Sequence, residues 1–381
     1  MQLDVPFAVD WVHRLRFTRD VFDVSNPTLV RAFDPTRHGA ARVIAFVDDG
    51  VLQAWPGLER KIETYAAAQG VAMELVGVHA VVGGEACKND QQLQYRLCRA
   101  LHDARICRQS YVLAIGGGAV LDAVGFACAI THRGVRLVRL PTTTLSQDDS
   151  GVGVKNGINA FNKKNFLGAF ATPWAVINDE LFLTTLSDRD WRSGFSEAVK
   201  VALVKDAALF ERLRANARAI ARRDFEAAVP VIRRSAELHL RHITSGGDPF
   251  ELTSARPLDF GHWAAHKLES MTHFELRHGE AVAIGVALDA SYSALAGLLN
   301  PDDAREVVQC LCDLGFQLHD PVMRDTDTLL KGIEEFREHL GGRLTIAMLS
   351  GIGRQHDVHE VDLNLMRRAA EELATVAAVQ R

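Results

Sequence analysis

An N-terminal α/β domain built on a parallel sheet, followed by a helical C-terminal domain, is the architecture the sequence predicts. Three observations carry it. From about residue 41, short β-branched runs alternate with helical periods. A run of three glycines, Gly116, Gly117 and Gly118, joins an apolar strand to the helical pattern after it. Beyond about residue 180, apolar residues recur at helical spacing, punctuated by Gly, Pro and Asp. The boundary falls between about residues 178 and 190.

Taken in order, ARVIAFVD reads as the first strand, GLERKIETYAAAQ as a helix, AMELVGV as a strand, QQLQYRLCRALHDA as a helix and YVLAIGGG as a strand with its turn. GVRLVRLPTTT continues the sheet, with Pro141 ending the strand because it has no N–H to donate. WAVIND, from Trp174, is the last strand. The later segments SEAVKVALVKDAALFERLRANARAIARR and EAVAIGVALDASYSALAGLL are helices.

Composition narrows the function classes. With 381 residues, 48% hydrophobic and 24% charged, the chain can bury a sizeable interior in two domains, and disordered, collagenous and coiled-coil readings are excluded. The net charge is -5 and no long Lys/Arg run is present, so nucleic acid is not an expected partner. None of the six cysteines forms a C-x-x-C pair, which fits reduced thiols in a cytoplasmic protein. The N-terminus carries acids where a signal peptide has a basic region. Tyr111 to Ile130 has the length of a membrane span, but its four glycines and Asp122 point to a strand, a turn and a helix.

Three groups of residues carry chemistry. Gly116 to Gly118 lead into a helix, where backbone N–H groups without side chains admit a pyrophosphate; a purely structural turn is the alternative. Asp48 closes the first strand, where a carboxylate takes ribose hydroxyls or else caps a helix. Six histidines lie between His239 and His278. His262 and His266, at i and i+4, share a helical face, and His278 opens another helix. Imidazoles with a carboxylate suit a zinc-like ion, although such spacing also arises without a metal. Finally, residues 141–170 gather Asp148, Asp149, Lys155, Asn156, Asn159, Lys163, Lys164 and Asn165 among glycines. A long polar loop of that kind suits an anion, and a solvated hairpin is the alternative.

In this order, G-G-E-A-C-K (83–88), G-G-G-A-V-L-D (116–122), R-G-V-R-L-V-R-L-P-T-T (133–143), the 145–170 loop, S-G-F-S-E-A-V-K (193–200), D-F-G-H-W-A-A-H (259–266) and R-H-G-E-A-V (277–282) resemble the sugar phosphate cyclases, whose best-known member is 3-dehydroquinate synthase. The resemblance spans roughly residues 40 to 350. It implies a Rossmann-like NAD-binding α/β domain over 1–182 and an all-α metal- and substrate-binding domain over 183–381. It further implies that Asp48, Glu85, Lys88, Gly117, Gly118, Asp122, Thr142 and Thr143 hold NAD, and that Glu197, His262 and His278 hold Zn2+ or Co2+. Asp149, Lys155, Lys164, Asn165, Lys200 and His266 would hold substrate, and Arg133 would reach its phosphate from the second subunit of a homodimer.

The implied reaction is a lyase reaction without net redox. A ring hydroxyl is oxidised transiently by NAD, phosphate leaves by elimination, the hydride is returned, and the opened enol closes as an intramolecular aldol. In 3-dehydroquinate synthases the acid end of the substrate is surrounded by a lysine, an arginine, an asparagine and a second lysine. The corresponding positions here are His239, Ala255, Asp259 and His339, with Arg256 displaced by one residue and followed by Pro257. R-P-L-D-F-G-H looks more like the sedoheptulose 7-phosphate cyclases that make 2-epi-5-epi-valiolone, so a heptulose phosphate without a carboxylate is the expected substrate. The acid substrate, 3-deoxy-arabino-heptulosonate 7-phosphate, is one alternative. A metal-dependent polyol dehydrogenase of the glycerol dehydrogenase kind and a nucleotide-binding relative without turnover are the others.

Overall fold

The computed structural model describes residues 2–35, 39–161, 163–246, 250, 257–339 and 342–379. The chain divides into two compact units: the chain up to Thr142 together with Gly153–Thr185, and Thr143–Val152 together with the chain from Leu186.

The first unit is built on six strands, β1 (Leu15–Thr18), β2 (Ala41–Asp48), β3 (Met73–Val81), β4 (Tyr111–Gly116), β5 (Arg136–Pro141) and β8 (Ala175–Asp179). They pair in parallel in the order β1-β8-β5-β4-β2-β3. Parallel strands are covered on both faces, which is why β2 from Val43 to Val47 and β4 are apolar runs and why β4 is buried along its whole length. The helices α1 (Asp49–Ala54), α2 (Leu58–Ala68), α3 (Ala86–Asn89), α4 (Gln91–Asp103) and α5 (Gly118–Ile130) connect them. In α4, Leu93, Leu97 and Leu101 recur every fourth residue and are buried, while Asp90 caps the first turn by accepting from Gln92 N (2.9 Å) and Leu93 N (3.2 Å).

Strand order reverses between β2 and β4, and the register aligns Asp48 with Val81 and Gly116 with Pro141. Asp48 and the glycine turn therefore lie together at the carboxyl ends of the strands, at the switch point where open α/β sheets take ligands.

Two features of this unit differ from the sequence reading. The four residues of β1, too short to show alternation, add a parallel edge strand beside β8. The polar stretch, read first as a long loop, takes its alternative reading and is mostly a hairpin, β6 (Lys155–Ala160) against β7 (Lys163–Phe170), preceded by a single π-helical turn, Ser146–Ser150. Buried Arg139 on β5 explains the hairpin's seat, because it donates to Gly153 O (2.8 Å), Lys155 O (3.0 Å) and Asn156 Oδ1 (2.6 Å). Gly125 on α5 supplies the space; a Cβ there would fall 1.9 Å from Asn156 Oδ1.

The second unit is helical, with α6 (Asp188–Lys205), α7 (Ala207–Ala221), α8 (Phe225–Ser245), α9 (His262–Met271), α10 (His278–Leu295), α11 (Pro301–Asp313), α12 (Thr326–His339) and α13 (Leu363–Val379). It also carries an antiparallel pair that the sequence reading did not single out, β9 (Ile346–Gly351) with β10 (Arg354–Val358). α10 is buried almost throughout, from Gly279 to Ser293. The Thr143–Val152 segment belongs to this unit because Thr144 Oγ1 donates to Trp191 O (2.9 Å) and accepts from Gly194 N (3.1 Å). Gly194 allows that approach, since a Cβ there would lie 2.4 Å from Leu145 N. Among the described residues, no helix is long and apolar enough to cross a membrane.

Candidate functional site

In the first unit, α5 begins at Gly118 after Gly117, and no side chain caps it. Its first N–H groups are thus not taken by a capping side chain, which a pyrophosphate site would require. Asp48 lies beside this turn. Its Oδ1 accepts from Gly50 N (2.9 Å), so it caps α1, and burial raises its carboxyl above the usual range. A Cβ on Gly83 would meet that oxygen at 2.2 Å, and one on Gly116 would meet Asp48 Cβ at 3.1 Å. Both readings of Asp48, cap and cofactor carboxylate, are compatible with this placement.

Lys88, 4% exposed, pairs with Asp122 Oδ2 at 2.8 Å and also donates to Asn165 Oδ1. Glu85 is exposed at the start of α3. Thr142 is buried, and its N–H donates to Gly116 O at 3.0 Å. Lys155, Lys164 and Asn165 are exposed on the hairpin. Arg133, also exposed, ends the turn Thr131–Arg133 in a left-handed conformation, φ +63°.

The second unit gathers the other candidates around Glu197. α6 runs from a Ser187 cap and buries Glu197 and Lys200, one turn apart, where they form an ion pair. His262 Nε2 lies 3.5 Å and His278 Nε2 3.4 Å from Glu197 Oε1. Ligands 2.0–2.1 Å from a tetrahedral ion are separated by about 3.4 Å, which both distances to Glu197 match, and the three ligand atoms all lie within 4.8 Å of one another. Neither oxygen of Glu197 has a hydrogen bond of good geometry among the described residues. Burial opposes its charge, yet Lys200 and His262 hold the carboxyl well below the usual range. An ionised, buried carboxylate facing two imidazoles is a donor set that fits a divalent cation. Thr143, which begins the segment of this unit before α6, donates its N–H to Ser146 Oγ at 3.1 Å.

Outside this trio stand two carboxylates that sequence reasoning missed. Glu269 Oε2 is 3.3 Å from His278 Nδ1 and would orient the ring from behind. Burial alone would lower the imidazole's pKa, but the neighbouring carboxylates of Glu197 and Glu269 push it up to about 10. The i, i+4, i+7 spacing of His262, His266 and Glu269 is the signal that would have found it. His266, exposed, lies beside both imidazoles, its ring centroid 5.6 Å from His262 and 6.1 Å from His278. Glu269→Gln is expected to weaken Co2+ affinity by roughly 10–100-fold, measured by chelator competition, because the ring loses its carboxylate partner.

Asp289 fixes the start of α9. It accepts from Gly261 N (2.9 Å) and Trp263 Nε1 (2.8 Å), while Gly261 turns with φ +78°. Burial pushes the Asp289 carboxyl up to about 7. Asp289→Ala leaves two buried N–H groups without an acceptor and should destabilise the protein by about 2–4 kcal/mol in urea titrations.

Asp149 Oδ1 lies 2.8 Å from His239 Nδ1. Burial opposes its ionisation, but His239 and Lys200 hold Asp149 below the usual range. Next to it, Asp148 is fully buried and has no hydrogen-bond partner for either oxygen among the described residues. Burial, Asp149 and Glu197 push Asp148 well above the carboxylate range. Burial would lower Lys200, but Glu197 first, then Asp149 and Asp259 in the turn Pro257–Asp259, raise it above its ordinary value. Ala255, Arg256 and the side chain of His339 lie outside the described residues.

The 3-dehydroquinate synthase N-terminal family model matches residues 78–193, and the C-terminal model of the same family matches residues 194–335. A 2-epi-5-epi-valiolone synthase of Streptomyces glaucescens is 33% identical over 366 residues, 95% of this chain and 91% of that protein. A 3-dehydroquinate synthase of Rhodopseudomonas palustris (strain BisB18) is 36% identical over 335 residues, 84% of each chain. Among solved structures, ValA, the 2-epi-5-epi-valiolone synthase from Streptomyces hygroscopicus subsp. jinggangensis 5008 with NAD+ and Zn2+ bound, superposes with a TM-score of 0.87 at 28% identity, over 98% of this chain and 100% of that one.

Proposed function

The chain belongs to the 3-dehydroquinate synthase family of sugar phosphate cyclases, and from that premise we propose that it converts sedoheptulose 7-phosphate to a cyclitol, using NAD and a divalent metal. The observation that carries the proposal is the spacing of Glu197, His262 and His278, with Lys200 beside them. The similarity to ValA, whose structure holds NAD+ and Zn2+, supports the same pair of cofactors here.

When bound, NAD supplies reversible hydride transfer at one ring carbon, and the metal polarises neighbouring hydroxyl oxygens. The chain's own residues have distinct tasks in this reading. Gly117 and Gly118 leave the α5 N-terminus open for the cofactor pyrophosphate, and Asp48 takes its ribose. Lys155, Lys164 and Asn165, on the hairpin, offer cations and an amide to substrate oxygens, and Arg133 of a second subunit neutralises phosphate charge. Lys200 is held protonated by the carboxylates around it and donates to a substrate oxygen as negative charge develops there.

Charge supports a substrate without a carboxylate. His239 stands where an acid-binding lysine is expected, but it is engaged with Asp149. Asp259 stands where an amide is expected and offers acceptors to a neutral hydroxyl. Incubation with sedoheptulose 7-phosphate, following free phosphate and NADH together, tests the reading. Phosphate release without net NADH is the expected result. Accumulating NADH would instead identify a polyol dehydrogenase, and neither product would leave a nucleotide-binding relative.

A further inference from the structure

Asn159, on β6, is 9% exposed, and its side chain reaches two parts of the first unit at once. Its Nδ2 donates to Glu85 Oε1 (3.0 Å) and to Asn89 Oδ1 (2.9 Å), at either end of α3. Its Oδ1 accepts from the backbone N–H of Asn165 on β7 (2.9 Å). Both amide donors and one acceptor site are therefore used. Asn165 has φ +53°, a left-handed conformation that asparagine adopts more readily than most residues. Lys88, buried and paired with Asp122, grips the same residue by donating to Asn165 Oδ1.

We propose that Asn159 is a positioning residue that couples cofactor binding to the placement of Lys164 and Asn165. The inference rests on the cyclase reading only in taking Glu85 and Lys88 as cofactor residues and Lys164 and Asn165 as substrate residues. One amide spans the two groups, so a shift of the Glu85–Asn89 segment on cofactor binding is transmitted to the hairpin. By linkage, ordering of the hairpin must favour the cofactor by the same factor.

Asn159→Asp separates coupling from simple capping. The carboxylate still accepts from Asn165 N, but it can no longer donate to Glu85 or Asn89 and it repels the Glu85 carboxylate. With NAD as the probe, amide exchange across residues 155–170 should slow on NAD addition in the wild-type protein and stay unchanged in Asn159→Asp. The NAD Kd should rise about tenfold in the variant. Bound metal should be unaffected, because its candidate ligands are in the other unit.

Asn89→Ala, which removes one acceptor and leaves Asn159 in place, should show a smaller change of the same sign. It serves as the test if Asn159→Asp fails to fold. NAD-dependent protection of the hairpin that persists in Asn159→Asp, with Kd within twofold of wild type, would overturn the coupling while leaving the cyclase reading intact. A wild-type protein that binds no NAD would overturn the cofactor assignment and the coupling together.

Discussion

Glu197→Ala is expected to lose the divalent metal and turnover together. The carboxylate is fully buried, and both imidazoles of the group converge on its Oε1 at 3.4 and 3.5 Å. Without it, two neutral ligands remain, and Lys200 is left close to the place where a cation would sit. Losing a ligand outright should exceed the 10–100-fold cost of losing an orienting group, so a loss of roughly a thousandfold in metal affinity and in kcat is expected. Metal content after dialysis, together with phosphate release, checks this. Full turnover by a metal-free preparation would show that the trio has another role.

Much of the architecture was legible because it follows from local pattern. The alternating strands and helices, the glycine turn after β4 and the change of texture near residue 180 come from period and from backbone freedom. His262 and His266 were visible as a helical pair, whereas Glu197 and Lys200 were reached only through the family resemblance. Features set by distant partners were not legible. β1 is four residues long and is held by pairing with β8, some 160 residues later, so no local pattern marks it. The 155–170 stretch could be read as a loop or as a hairpin, and what decides for the hairpin is its seat on Arg139 and Gly125, which lie outside it in sequence. Asp148 and Asn159 were read only as members of a polar, anion-binding stretch and Asp289 was not singled out; folding makes the first a buried acid without a hydrogen bond among the described residues, Asn159 a link across the hairpin and Asp289 the anchor of α9.

The second large effect concerns the acid end of the substrate. A carboxylate brought to Asp259 would meet a like charge, and His239 is already paired with Asp149. Like-charge contact costs about 3 kcal/mol, which corresponds to about a hundredfold in kcat/KM against the acid. Asp259→Asn removes the repulsion and supplies an amide donor. It should narrow the preference about tenfold or more, chiefly by raising turnover of the acid, as steady-state kinetics on both substrates would report. An unchanged ratio would mean that Asp259 does not face the substrate.

The direct test of the account is a comparison on the wild-type protein loaded with NAD and Zn2+ or Co2+. Phosphate release and NADH are followed with sedoheptulose 7-phosphate and, separately, with 3-deoxy-arabino-heptulosonate 7-phosphate. Phosphate should leave sedoheptulose 7-phosphate rapidly with no net NADH, and the acid about a hundredfold more slowly. Faster turnover of the acid would contradict this and make the chain a 3-dehydroquinate synthase in activity.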